Sequence, residues 1–154
     1  MKSVEFRKPG EELTLRARLF PANEDGKRTP VVIMLTGDGP KGTKSLSWVN
    51  MPPRLAEVGI ASWLFDFEGL GYSDGDRKNL SVSRGIKDLE VAYKLLTQQE
   101  EVDPTRIGAF ASSFGANVLL VSPNIANRLM SIGLKSPASF LPDAYYREIG
   151  DDQF

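Results

Sequence analysis

The chain has 154 residues, enough for one domain that buries a continuous core without disulfide staples. Its 19 Lys plus Arg against 20 Asp plus Glu leave a net charge of −1 with no basic block, which argues against a nucleic-acid partner. Cys and His are both absent, which removes disulfides, thiol nucleophiles and the usual transition-metal ligands, so neither a metal site nor a cofactor is expected.

The N-terminal stretch MKSVEFRKPGEELTLRARLF is charged and has no continuous apolar core. It reads as neither signal peptide nor membrane span, and a cytoplasmic protein is expected. Val4 and Phe6, then Leu13, Leu15, Ala17 and Leu19 beyond a KPGEE turn, alternate with polar residues, which predicts a half-buried antiparallel hairpin. VVIMLT (31–36) and IASWLFDF (60–67) are short apolar runs bounded by turn residues, as suits strands buried on both faces. Between them, Pro52 and Pro53 fit the first turn of a helix, RLAEVG its body and Gly59 its stop. In SVSRGIKDLEVAYKLLTQQE (81–100), Ile86, Leu89, Tyr93 and Leu96 recur at offsets of three and four, which predicts an amphipathic helix. VDPTRIGAFAS then supplies a turn and a third buried strand, ANVLLVS a helix, Pro123 a break and LMSIGLKSPA a fourth strand. This rhythm predicts an α/β fold in a single domain, residues 1–154: a mostly parallel sheet of about six strands, flanked by helices and opened by the antiparallel hairpin.

The chemistry concentrates in GAFASSFGANVLL (108–120), where Ala111-Ser112-Ser113-Phe114-Gly115 places Ser113 between small residues, after a strand and before a helix. A sharp strand-to-helix turn leaves the central side chain exposed at the sheet's C-terminal edge, which makes Ser113 a candidate nucleophile. The backbone N–H of Phe114, at the helix N-terminus, would then face an oxyanion formed beside it. The plainer alternative is a serine that simply caps the next helix.

With these residues in place, nearly the whole chain resembles the α/β-hydrolase superfamily, in particular its bacterial serine esterases, lysophospholipases and dienelactone-hydrolase-like members. VVIMLTGDGP is similar to the family's strand and oxyanion loop, with Thr36-Gly37 where most members carry His-Gly. FDFEGLGYSDG (65–75) resembles the family's Asp-x-Arg-Gly-x-Gly-x-Ser-x-Gly turn, with Glu68 in the Arg position, and VDPTRIGAFASSFGANVLL resembles its run into the nucleophile elbow. The resemblance implies a serine hydrolase of esters, thioesters or related small-molecule acyl substrates. It assigns Ser113 as nucleophile, the N–H groups of Phe114 and Asp38 as oxyanion donors, and Gly37, Gly39 and Trp48 to the substrate pocket, while Trp63 reads as a packing residue.

Two other readings compete over the same loops. Residues 37–42 spell G-x-G-x-x-G after a strand, as in a nucleotide-binding domain, but Pro40 removes a backbone donor and Asp66 lies 24 residues past Gly42. Asp66, Glu68, Asp74 and Asp76 cluster around the glycine turn, where a hard-cation site would need converging oxygens; the favoured reading is a solvated loop with side-chain-capped turns.

A serine hydroxyl needs a base, and this chain has no histidine to offer. The family order of Ser, acid and His puts the last two after later strands than the six found here, so the resemblance implies a C-terminally truncated member with little or no turnover. Asp143 could orient a base and Lys135 could act as one if desolvated. A non-catalytic hydrolase-like binding or interaction module is the alternative of a different class. A truncated sheet would leave residues 130–136 as an exposed edge, open to association.

Overall fold

The computed structural model describes residues 1–23 and 25–137. Alternation decides the first two strands, β1 (Lys2–Arg7) and β2 (Thr14–Phe20), which pair antiparallel from Lys2↔Leu19 to Arg7↔Thr14. Leu15, Ala17 and Leu19 on β2 face the core while Thr14, Arg16 and Arg18 stay half-buried, the period-2 pattern of a strand with one covered face.

The apolar runs form β3 (Thr29–Leu35) and β4 (Ala61–Asp66), and every residue of β4 is buried. β5 (Val102–Ser112) and β6 (Ser131–Lys135) complete a six-stranded sheet in the order β1-β2-β4-β3-β5-β6. β2 pairs antiparallel with β4, and β4, β3, β5 and β6 run parallel. The fold is therefore the expected mixed sheet, opened by an antiparallel pair and otherwise parallel.

Among the described residues five α-helices connect the strands: α1 (Leu46–Val49), α2 (Met51–Glu57), α3 (Val82–Leu96), α4 (Phe114–Leu120) and α5 (Pro123–Ala126). α2 opens with prolines at its first positions and stops before Gly59, whose φ of +76° suits glycine. α3 docks through Leu89, Ala92, Tyr93 and Leu96, joining Phe114 and Val118 of α4 in the main core on one face of the sheet. On the other face Met34, Trp48 and Leu64 form a smaller core with Met51 and Leu55.

Three local expectations change. The Asp103-Pro104 turn lies inside β5, where the register shifts between Thr29 and Val31 and Asp103 Oδ1 accepts from the Thr105 N–H at 2.9 Å. That bond, a second from Thr105 Oγ1 at 2.7 Å and one from Arg106 hold the Asp103 carboxyl down at about 2. α4 starts two residues earlier than the apolar pattern implies, at Phe114 directly after the elbow. Pro123 opens α5 instead of breaking the chain, because the first helical position needs no N–H partner.

The topology also fixes where a site can form. From β3 the chain moves to β4 on one side, then crosses back to β5 on the other. The loops that leave the C-terminal ends of β3 and β5 diverge to opposite faces, and the crevice between them is where open α/β sheets place their ligands. No helix among the described residues is long and apolar enough to cross a membrane.

Candidate active site

Ser113 sits in that crevice, between the last residue of β5 and the first of α4. Its backbone adopts φ +47° and ψ −116°, a left-handed conformation that costs a residue with a Cβ. Three hydrogen bonds hold the turn: Ser113 N–H donates to Lys135 O (3.1 Å), Gly115 N–H to Thr36 O (3.0 Å) and Asn117 N–H to Ser113 O (3.1 Å). Gly115 must be glycine, since a Cβ there would lie 2.5 Å from Thr36 O and 2.7 Å from Leu35 O. Gly85 on α3 likewise makes room for Val118 and for the Phe114 ring, which stands edge-on to Phe67 at 5.2 Å. The buried ring fixes Phe114, and with it the direction of the N–H that follows the serine.

Among the described residues the Ser113 hydroxyl has no hydrogen-bond partner. Although Ser113 occupies the N-cap position of α4, its side chain accepts nothing from the helix, so the capping alternative fails. Gly37 lies directly against it: a Cβ on Gly37 would be 3.3 Å from Ser113 Cβ and 3.8 Å from Oγ. Among the described residues, neither the Phe114 N–H nor the Asp38 N–H has a protein acceptor. Beside them an open cleft of about 300 Å³ is lined by Thr36, Gly37, Gly39, Pro40, Ser45 and Trp48. Trp48 is 8% exposed and packs against Phe110, with ring centroids 5.7 Å apart. Gly37, Gly39 and Trp48 thus line one cleft, and Gly37 is the residue that borders Ser113; Trp63 is fully buried in the core. Lys135 is exposed on β6 and contributes its carbonyl, not its ammonium, to the elbow. Asp143 lies outside the described residues.

The acidic turn after β4 is the expected solvated, side-chain-capped loop at Asp74 and Asp76, but not at Asp66 and Glu68. Asp66 and Glu68 are each 1% exposed. The Asp66 carboxylate accepts from Thr43 N–H (2.6 Å), Thr43 Oγ1 (2.8 Å) and Tyr72 N–H (3.0 Å), tying the loop after β4 to the loop after β3. Burial pushes this carboxyl above its ordinary range against those three hydrogen bonds. Gly42 and Gly71, both at positive φ, pack onto the same carboxylate where no Cβ would fit. Asp66 is consumed in this way, and residues 37–42 lead into a short 3-10 turn and not into the helix that a dinucleotide fingerprint opens.

Glu68 takes part in a buried ion cluster that the sequence pattern did not reveal. Lys8 Nζ lies 2.7 Å from Glu68 Oε2, 2.9 Å from Asp88 Oδ1 and 3.0 Å from Glu11 Oε2, and the Arg84 guanidinium reaches Glu68 at 2.6 Å. Burial alone would raise Glu68, but the hydrogen bonds from Lys8 and Arg84 overcome it and hold its carboxyl below the ordinary range. Asp88, wholly buried, is pushed up by desolvation. A charged residue beside Leu89 on the apolar stripe of α3 was the available signal for Asp88. Asp74 pairs with Arg16 at 2.6 Å, and Asp76 caps the turn that follows by accepting from Lys78 N–H.

No protein-family model matches the chain. It is 31% identical over 131 residues to the acyltransferase drtE of Aspergillus calidoustus, which covers 84% of this chain and 41% of that one. Among solved structures, the alpha/beta hydrolase GrgF from Penicillium sp. sh18 superposes on 95% of this chain and half of its own (50%), with a TM-score of 0.74 and 27% identity. Est1E of Butyrivibrio proteoclasticus, solved with ferulic acid bound, shares the fold at a TM-score of 0.80 and 19% identity, over 94% of this chain and 56% of its own. The chain spans about two fifths of the length of the curated relatives it matches (41% of drtE). The six-stranded order, the elbow and these relatives agree: the chain belongs to the α/β-hydrolase superfamily.

Proposed function

We propose that this chain carries the nucleophile and oxyanion hole of a serine enzyme that transfers small acyl groups from esters, thioesters or related donors. The observation that supports this best is Ser113 itself. Its hydroxyl is carried on a backbone at φ +47°, faces Gly37 and caps no helix N–H, and strain of this kind gathers at functional sites. In the reaction, the Ser113 oxygen attacks the acyl carbon, its proton passes to a base, and the carbonyl oxygen becomes an anion between the N–H groups of Phe114 and Asp38. Collapse expels the leaving group and leaves an acyl-serine. Water then completes a hydrolysis, whereas an alcohol or amine completes a transfer. The relatives include both hydrolases and an acyltransferase, and the first half-reaction is common to the two. The acyl group would lie in the cleft along Gly37, Gly39 and Trp48.

No histidine is among these 154 residues, so they offer no imidazole as general base for Ser113. Alone, the chain is expected to turn over substrate orders of magnitude more slowly than an intact triad, because only oxyanion stabilisation and binding remain. An activated phosphonate followed by peptide mapping tests the nucleophile. Label is expected on Ser113 and absent in Ser113→Ala; equal labelling of the two removes Ser113 from the account.

The histidine-free composition favours a second reading, a hydrolase-like module that binds an acyl ligand without turning it over. Saturable binding of an acyl ester with no label on Ser113 would select it.

A further inference from the structure

The candidate oxyanion donor Asp38 carries a carboxylate, and a full negative charge beside a forming oxyanion opposes it. The loop after β4 answers that charge. Arg77 Nε donates to Asp38 O at 2.6 Å, and a terminal guanidinium nitrogen donates to Asp38 Oδ2 at 3.2 Å. Among the described residues no other cation contacts this carboxylate. The fork therefore fixes both the peptide that follows Asp38 and the direction in which its side chain points, a task that needs the planar guanidinium's separate donors.

Arg77 is itself held by its surroundings. Asp76 caps the turn through its bond from Lys78 N–H, and Gly69 packs so closely that a Cβ there would lie 2.5 Å from Arg77 N. Gly71 N–H donates to Pro40 O at 3.0 Å, and Asp66 grips Thr43, so the same loop fastens residues 38, 40 and 43 in succession. On this footing we infer that Arg77 is a positioning residue for the oxyanion hole, neutralising the Asp38 carboxylate and holding it aside so that the Asp38 N–H can serve the developing anion. The inference rests on the reading of Ser113 as nucleophile and Asp38 as donor.

Its test uses a 4-nitrophenyl alkylphosphonate, with the rate of labelling read by intact mass. The bond from Ser113 Oγ to phosphorus forms, the bond from phosphorus to 4-nitrophenolate breaks, and the serine proton passes to buffer. Arg77→Leu is expected to slow labelling roughly tenfold, a fraction of what losing a donor outright costs. High salt should narrow that deficit by screening the exposed carboxylate, which a merely structural defect would not allow. Arg77→Lys should restore part of the rate, and adding Asp38→Asn to Arg77→Leu should restore most of it, because no charge is then left to answer. Unfolding midpoints accompany each variant; should Arg77→Leu not fold, Arg77→Gln, alone and with Asp38→Asn, carries the comparison. Ser113-dependent labelling that is indifferent to Arg77, or a double variant no faster than Arg77→Leu, overturns this inference alone. No labelling of the wild type, or undiminished labelling of Ser113→Ala, overturns the Ser113 reading and this one with it.

Discussion

Ser113 carries a positive φ at the turn from β5 into α4. A strained φ persists only where surrounding contacts over-determine it, and here the Gly115, Lys135 and Thr36 contacts do so. Ser113→Gly should therefore raise the unfolding free energy by about 1 kcal/mol, the released strain outweighing glycine's extra chain entropy. Urea denaturation checks this, and a lower midpoint would count against strain at the elbow. Gly115→Ala should act oppositely, losing about 3 kcal/mol because its methyl meets two carbonyl oxygens of β3 and the following loop. The string around Ser113 was legible in the sequence; its torsion angle was not. Asp66 and Glu68 were misread because polar residues in a glycine-rich turn look solvated. Their partners, Thr43 and Lys8, lie 23 and 60 residues away in the chain, beyond the reach of local pattern.

At the scale of elements, the Lys8 cluster joins the turn between β1 and β2, the loop after β4 and the middle of α3. Removing one member of a buried ion network leaves its partners uncompensated, so Glu68→Gln is expected to cost about 3 kcal/mol at neutral pH. Glu68 has a folded pKa below its ordinary 4.5. Its contribution is therefore fully present above that pH and is lost as pH falls through the lower folded value. The gap between wild type and Glu68→Gln should thus stay constant from neutral pH to about 4.5 and close below it. Urea titrations across that range decide the matter, and a gap that persists in strong acid would contradict it. Asp88 and Asp66, both raised by burial, act with the opposite sign: the stability they add is present when they are protonated and is lost as pH rises through their raised values. Most element identities were legible, because β3, β4 and α3 have clear periods. The start of α4 was not, since Phe114 and Gly115 owe their helical place to Phe67 and to the end of β3, which are tertiary contacts.

For the molecule as a whole, the sheet ends differ. Among the described residues β6 pairs with β5 alone, and all five of its residues are exposed. Ile132 and Leu134, opposite Ala109 and Ala111, present an apolar row at 39% and 41% exposure. An open parallel edge of this kind invites a further strand. Amide exchange along β6 should be faster than along β3 and β4, and the chain should self-associate as concentration rises in sedimentation experiments. Ile132→Lys should suppress that association; a monomer whose β6 is protected like the central strands would argue against an open edge. The elbow has one more consequence, of a spectroscopic kind. The chain has no imidazole of its own and so contributes no histidine ring signals to a proton NMR spectrum. Any histidine-bearing polypeptide mixed with it would be the sole source of such signals. The pH at which such a signal moves, with Ser113 present or replaced by alanine, would report directly what the waiting hydroxyl does to a base brought beside it.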